Sequence, residues 1–145
     1  MLMLRQLLVG GLVSMINIAV HALFMSMVIG AARRTGEAKV AGRLAVIIVM
    51  VATVSILMIA HTLEVMVWAL AYQVADAAPP TARLVYFAFV NYTTLGYGDV
   101  IPVERWQLLG PIAAMNGILM FGWSTAVIFE VLRRALARQS GFDPH

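Results

Sequence analysis

Gly96 and Gly98 flank Tyr97 within the stretch T-T-L-G-Y-G-D at residues 93–99, in a chain of 145 residues that is 62% hydrophobic and 12% charged. Lacking a Cβ, each glycine takes a positive φ without a steric clash, so a pair separated by one residue lets successive peptide carbonyls be aimed the same way. Carbonyl oxygens turned into a lumen replace a cation's hydration shell. The chemistry is therefore coordination of a monovalent cation rather than the making of bonds. A second group stands in H-T-L-E, where His61 and Glu64 are three apart and share a helical face. Ionisable groups inside an apolar run mark either a functional site or a polar pair that joins helices.

The elements that must position these residues follow from composition. So little polar surface does not keep a soluble domain of this length dissolved. Three apolar runs, roughly 7–32, 44–72 and 106–132, are each long enough to cross a hydrocarbon core about 30 Å thick, which takes about 20 helical residues. The first is too long for a secretory signal, and its basic residues follow it rather than precede it. Arg33, Arg34, Lys39 and Arg43 cluster between the first two runs, and Arg133, Arg134 and Arg138 follow the third. Only Arg5 precedes the first. The positive-inside rule places the N-terminus outside, the C-terminus in the cytoplasm and the 73–105 segment on the exterior.

That exterior segment holds a run that is too short to cross. Pro79 and Pro80 end any helix, and residues 82–93 span only about 18 Å at 1.5 Å per residue. This is half a bilayer, the length of a re-entrant helix. Residues 93–99 thus lie at membrane depth, where irregular backbone is tolerated only when buried in protein or lining a water-filled path. The half-helix directs its negative end toward that path.

T-T-L-G-Y-G-D closely resembles the selectivity filter of potassium channels, usually T-T-V-G-Y-G-D. At about 5% per residue, six matched positions arise by chance in this chain only a few times in a million. The resemblance extends to a preceding pore helix with aromatics (Tyr86, Phe87), to Pro102 and Trp106 after the filter, and to an inner helix with Gly117 and Gly122. It implies a pore domain over 44–134: outer helix 44–72, pore helix 82–93, filter 94–99 and inner helix 106–132. Residues 1–43 would be an extra span with a basic cytoplasmic loop, and 135–145 a short tail. It implies K⁺ as the permeant ion, held by the carbonyls of Thr94, Leu95, Gly96 and Tyr97, with Thr93, Gly98 and Asp99 maintaining filter geometry. Leu95 replaces the usual valine at a position that contributes backbone. Some channels pair the filter aspartate with a pore-helix glutamate; Val90 stands there, which leaves the partner of Asp99 open. A common pore-helix tryptophan is replaced by Tyr86 or Phe87. One filter strand cannot surround an ion, so the resemblance implies a homotetramer, and Gly110, Ala113, Ala114 and Gly117 suit close helix approach.

The remaining polar residues carry alternatives. Counted from mid-span, Glu64 lies about 9 Å toward the exterior, level with the pore helix. There it accepts hydrogen bonds from Asn91, Tyr92, Thr93 or Trp68, with His61 tuning its protonation in a gating or pH role, or the pair simply joins helices. Asn17 and His61 fall at similar depths and are expected to bond, while Asn17 and His21 read chiefly as helix contacts. Asn116 faces either a cavity or a neighbouring helix. Gly117 and Gly122 serve either hinging or packing, and Pro111 removes a donor near the helix start. Glu130 either rings the cytoplasmic mouth or pairs with Arg133 and Arg134.

No span carries the spaced arginines of a voltage sensor, and the tail is too short for a ligand-sensing module. No metal-ligand cluster, nucleophile–base arrangement or phosphate loop points to an enzyme. The expectation is an all-α membrane protein with three transmembrane helices, a re-entrant pore helix and a filter loop. No cofactor and no nucleic-acid partner are expected. Anionic lipid at the 33–43 loop is an expected contact, and a compact chain without targeting extensions suggests a bacterial inner membrane. The rivals are a weakly selective cation pore, a proton-coupled transporter with His61 and Glu64 as relay, and a non-conducting accessory subunit.

Overall fold

Long apolar segments in lipid satisfy their backbone by bonding it internally as helix, and this chain does so. The computed structural model describes residues 1–34 and 42–139, which form four α-helices and no strand. α1 is Leu2–Arg34, α2 is Arg43–Ala75, α3 is Leu84–Tyr92 and α4 is Leu109–Gln139, with a 3-10 turn at Glu104–Trp106. α1, α2 and the segment containing α4 are long and apolar enough to cross a membrane. The nine residues of α3 reach only about 14 Å. Lys39 lies outside the described residues, and with it the expected lipid contact of the 33–43 segment.

The ends of the elements have local causes. α2 stops where Asp76 enters the left-handed region (φ 51°), its amide bonding back to Gln73 while the Ala77 amide bonds to Tyr72. Pro79 and Pro80 cannot resume a helix, and Arg83 is extended before α3 begins. α3 is therefore three residues shorter than the expected 82–93. α4 starts three residues later than expected because Trp106 belongs to the 3-10 turn. Pro111 falls in the first turn of α4, where its missing donor has no intrahelical acceptor to lose. α4 then runs to Gln139, through most of the first half of the expected tail. The Leu108 amide ahead of α4 is capped by the Gln6 side chain at 2.8 Å.

That cap fixes the arrangement of the spans. Gln6 meets Leu108, Asn17 meets Asn116, and Val28 packs with Val127 and Val131, so α1 and α4 run side by side in the same direction. α2 runs opposite to both. α3 lies between α2 and α4 at the end where α1 and α4 begin. Two apolar cores result. The larger gathers Trp68, Tyr72, Phe87, Tyr92, Trp106 and Leu109 around α3. The smaller joins Met25, Val28, Leu57, Val127 and Val131 toward the other end. Between them along the helices lies a buried polar layer.

Candidate ion pathway and its buried support

Residues 93–99 form an irregular loop after α3, all of it exposed in the single protomer. φ is positive at Thr94 (61°), Gly96 (54°) and Gly98 (78°), and negative at Leu95 and Tyr97 between them. In a strand of uniform sign, successive carbonyls alternate in direction. Reversing the sign at every second residue turns them to one side and the amides to the other. The amides of Leu95 and Gly96 both point back to the carbonyl of Val90, at 3.0 and 3.4 Å. Among the described residues, no donor reaches the carbonyls of Thr94, Leu95, Gly96 or Tyr97. Glycine adopts the left-handed region freely, but a β-branched threonine does so at about 1–2 kcal/mol. The loop holds Thr94 there nonetheless, through its amide bond to the Asn91 carbonyl at 3.1 Å.

Thr93 turns its hydroxyl back onto the carbonyl of Phe89, at 2.7 Å. Tyr97 is 69% and Leu95 52% exposed, apolar surface with nothing in the protomer to cover it. Asp99, whose partner the sequence left open, accepts a hydrogen bond from the Tyr86 hydroxyl at 2.9 Å. That bond also holds the Tyr86 phenol above its ordinary pKa range, so it stays protonated and donating. Phe87, the other aromatic considered for that place, is instead fully buried with its ring 4.7 Å from that of Tyr72.

The loop is placed by a close contact between α3 and α4. A Cβ on Gly117 would overlap the Tyr92 carbonyl oxygen and sit 3.0 Å from its carbon. Gly117 is thus required by packing, and α4 continues through it unbroken. Around Gly122 the protomer has open space. Gly110 meets the side chains of Asn91 and Pro102. At the bundle end, Arg105 pairs with Asp76, and the Val103 amide bonds to the Ala77 carbonyl at 2.9 Å.

Behind α3 the polar layer centres on Glu64, which is fully buried. His21 Nδ1 lies 2.7 Å from Oε1 and His61 Nδ1 3.2 Å from Oε2, and the Tyr92 hydroxyl donates to Oε2. Of the four donors expected at Glu64, only Tyr92 serves. Trp68 Nε1 donates to Asn116 Oδ1 (3.1 Å), Asn91 to the Phe87 carbonyl, and Thr93 to that of Phe89. The expected Asn17–His61 bond is not formed. Asn17 Nδ2 instead donates to Asn116 Oδ1 at 3.0 Å and to the Glu64 carbonyl at 3.3 Å. Helix direction matched Asn17 and His61 in depth, but Asn17 turns toward α4. Asn116 accordingly faces neighbouring helices. His21, read from sequence as a helix contact, is a direct partner of Glu64. Its separation of 43 residues left no local pattern to find it by. His21, His61 and Glu64 bring their ligand atoms within 4.8 Å of one another, a cluster that the sequence did not reveal.

Near the other end of α4, Glu130 meets Arg133 at 2.8 and 3.0 Å and Arg134 at 2.5 Å, the paired arrangement of the two alternatives. These groups are partly exposed, so water and salt screen the attraction between them.

The architecture is that of an integral membrane protein in which a short helix and an extended loop are inserted between two spans. A family model described as ion channel matches residues 60–134, about half of the chain and the part that contains α3, the loop and most of α4. The chain belongs to this ion channel family. No curated protein and no solved structure matches it.

Proposed function

We propose that four copies of this chain assemble around a common axis as a potassium-selective channel, through which K⁺ moves passively down its electrochemical gradient. The observation that carries this is the alternation of φ sign across residues 94–98, with the amides of Thr94, Leu95 and Gly96 tied back to α3 and the carbonyls of Thr94, Leu95, Gly96 and Tyr97 left unbonded among the described residues. A single strand offers oxygens from one side only, and a dehydrated cation must be surrounded. Four strands supply carbonyls of Thr94, Leu95, Gly96 and Tyr97 in stacked rings. Exposed irregular backbone at membrane depth, together with uncovered Tyr97 and Leu95, also calls for neighbouring copies. Arg43, Arg133 and Arg134 lie at the end of the bundle opposite the loop, which supports the reading of that end as cytoplasmic and the N-terminus as exterior.

A weakly selective cation pore is the second reading, favoured by the tether at Asp99. Among the described residues its hydrogen bond comes from one exposed tyrosine. Purified protein in planar bilayers, under opposed K⁺ and Na⁺ gradients, separates the two. The expected reversal lies near the K⁺ equilibrium potential. A value midway supports the weakly selective pore, and a silent protein that does not run as a tetramer overturns both.

Tyr86→Phe removes the donor to Asp99 while leaving the apolar ring. Its reversal potential is expected to shift toward that of Na⁺, with the K⁺ preference falling by up to about tenfold, the equivalent of one ordinary hydrogen bond. Thermal stability should change little, because both groups are exposed. Unchanged ion preference would show that Asp99 does not need this tether.

A further inference from the structure

His21 from α1, His61 and Glu64 from α2, and Tyr92 from α3 converge in the layer between the two apolar cores. His21 and Glu64 are fully buried, and 14% of the His61 side chain is open. The Tyr92 hydroxyl lies 3.0 Å from His61 Nδ1 and bonds to Glu64. With neutral rings and an ionised carboxylate, His21, His61, Tyr92 and Ser124 supply four hydrogens for six contacts among these groups. If both Nδ1 atoms carry hydrogen and donate to Glu64, each Nε2 is a bare acceptor. Both Nε2 atoms face the same hydroxyl, Ser124 Oγ, at 2.9 Å from His61 and 3.4 Å from His21. A hydroxyl has one hydrogen, so in that arrangement one Nε2 has no donor among the described residues, and the other tautomer of His61, accepting from Tyr92, takes that hydrogen from Glu64.

A cation in place of the two Nδ1 hydrogens removes the deficit. Both rings then carry hydrogen on Nε2, and both donate to Ser124 Oγ, which has two lone pairs. A partner of this kind on the far nitrogen fixes the tautomer and orientation of metal-bound histidines. The cation would also offset the Glu64 charge, which is otherwise costly in a membrane interior.

We propose that this cluster binds a divalent transition-metal ion of the zinc type. The ligands are His21 Nδ1, His61 Nδ1 and a Glu64 carboxylate oxygen, with the Tyr92 hydroxyl as the fourth. Two imidazole nitrogens select a borderline ion such as Zn²⁺ over K⁺, Mg²⁺ or Ca²⁺, which take oxygen ligands. The nitrogen–carboxylate spacings of 2.7 and 3.2 Å are close to those of a tetrahedral site. Bonds of about 2.0–2.1 Å place such ligands about 3.3 Å apart, so these two contacts open by about half an ångström or less while the ligand atoms, all within 4.8 Å of one another, draw together around the ion. Tyr92 lies two residues before Thr94, and its carbonyl abuts Gly117, so an ion held here ties the base of the ion pathway to α1 and α2.

The test uses the full chain purified in detergent, stripped with a chelator, equilibrated with zinc chloride and desalted. Mass spectrometry of metal content is expected to give about one Zn²⁺ per chain, lost in Glu64→Gln. Ser124→Ala should keep the stoichiometry with affinity about 10–100-fold lower. Co²⁺ added to the stripped wild-type protein should produce the visible absorption of a tetrahedral site. Equal Zn²⁺ in wild type and Glu64→Gln, or no Co²⁺ absorption, overturns the proposal. If Glu64→Gln does not fold, the Co²⁺ spectrum and the Ser124→Ala affinity decide. Metal content is read without current, so this site stands or falls separately from potassium conduction.

Discussion

Gly117→Ala is expected to abolish current and to lower the thermal stability of the protein by about 3 kcal/mol or more, the upper range for overpacking a tight contact. The added methyl would meet the Tyr92 carbonyl rather than a flexible side chain. Relief requires either α4 or the end of α3 to move, and Tyr92 leads directly into the loop that presents the carbonyls. A displacement of this size at that point changes the aim of Thr94 and Leu95. Gly122→Ala is the matched control. The protomer has open space there, and alanine is about 1 kcal/mol better than glycine in a helix interior. Detergent-solubilised thermal unfolding and reconstituted flux, measured for both variants, check the contrast. A fully active Gly117→Ala protein would mean that α3 and α4 do not approach as described.

Glu64→Ala should have a comparable effect for an electrostatic reason. The substitution removes the acceptor of the Tyr92 hydroxyl and the partner of both Nδ1 atoms, in a layer that is largely buried. Removing one member of a buried charged group costs about 3–5 kcal/mol. Glu64→Gln retains one carbonyl oxygen and should lose less, about 1–3 kcal/mol. The order wild type, glutamine, alanine in melting temperature is the expected result. Alanine equal to wild type would mean that the carboxylate holds nothing together. Because Tyr92 precedes the loop, ion flux should fall in the same order as stability.

The parts of this molecule that were legible in the sequence are those with short-range causes. Span lengths follow from uninterrupted apolar runs, and the break before α3 follows from Pro79 and Pro80. The loop was visible because Gly96 and Gly98 are needed where φ is positive. The Glu130 pairing follows from three- and four-residue spacing. What stayed hidden was decided by side chains meeting from distant segments. Gly117 could be narrowed from hinge or packing to packing only once Tyr92 was placed against it. Tyr86 and Phe87 are adjacent, and helical rotation sends one to Asp99 and the other to Tyr72. His21 and Asn17 looked alike in one apolar run, yet one bonds the Glu64 carboxylate and the other the Asn116 amide. Their rotation about α1 depends on α2 and α4, which the first run does not encode.

The link between Asn17 and Asn116 also sets an order of events during synthesis. The two residues are 99 apart, and a ribosome adds about 5–20 residues per second, so Asn17 waits about 5–20 s for its partner. His21 waits less, since Glu64 is 43 residues on. α1 and α2 can therefore close as a hairpin through His21 and Glu64 while α4 is still being made. An arrested chain ending before residue 116 leaves the Asn17 amide only the Glu64 carbonyl to bond, so the seam between α1 and α4 closes last.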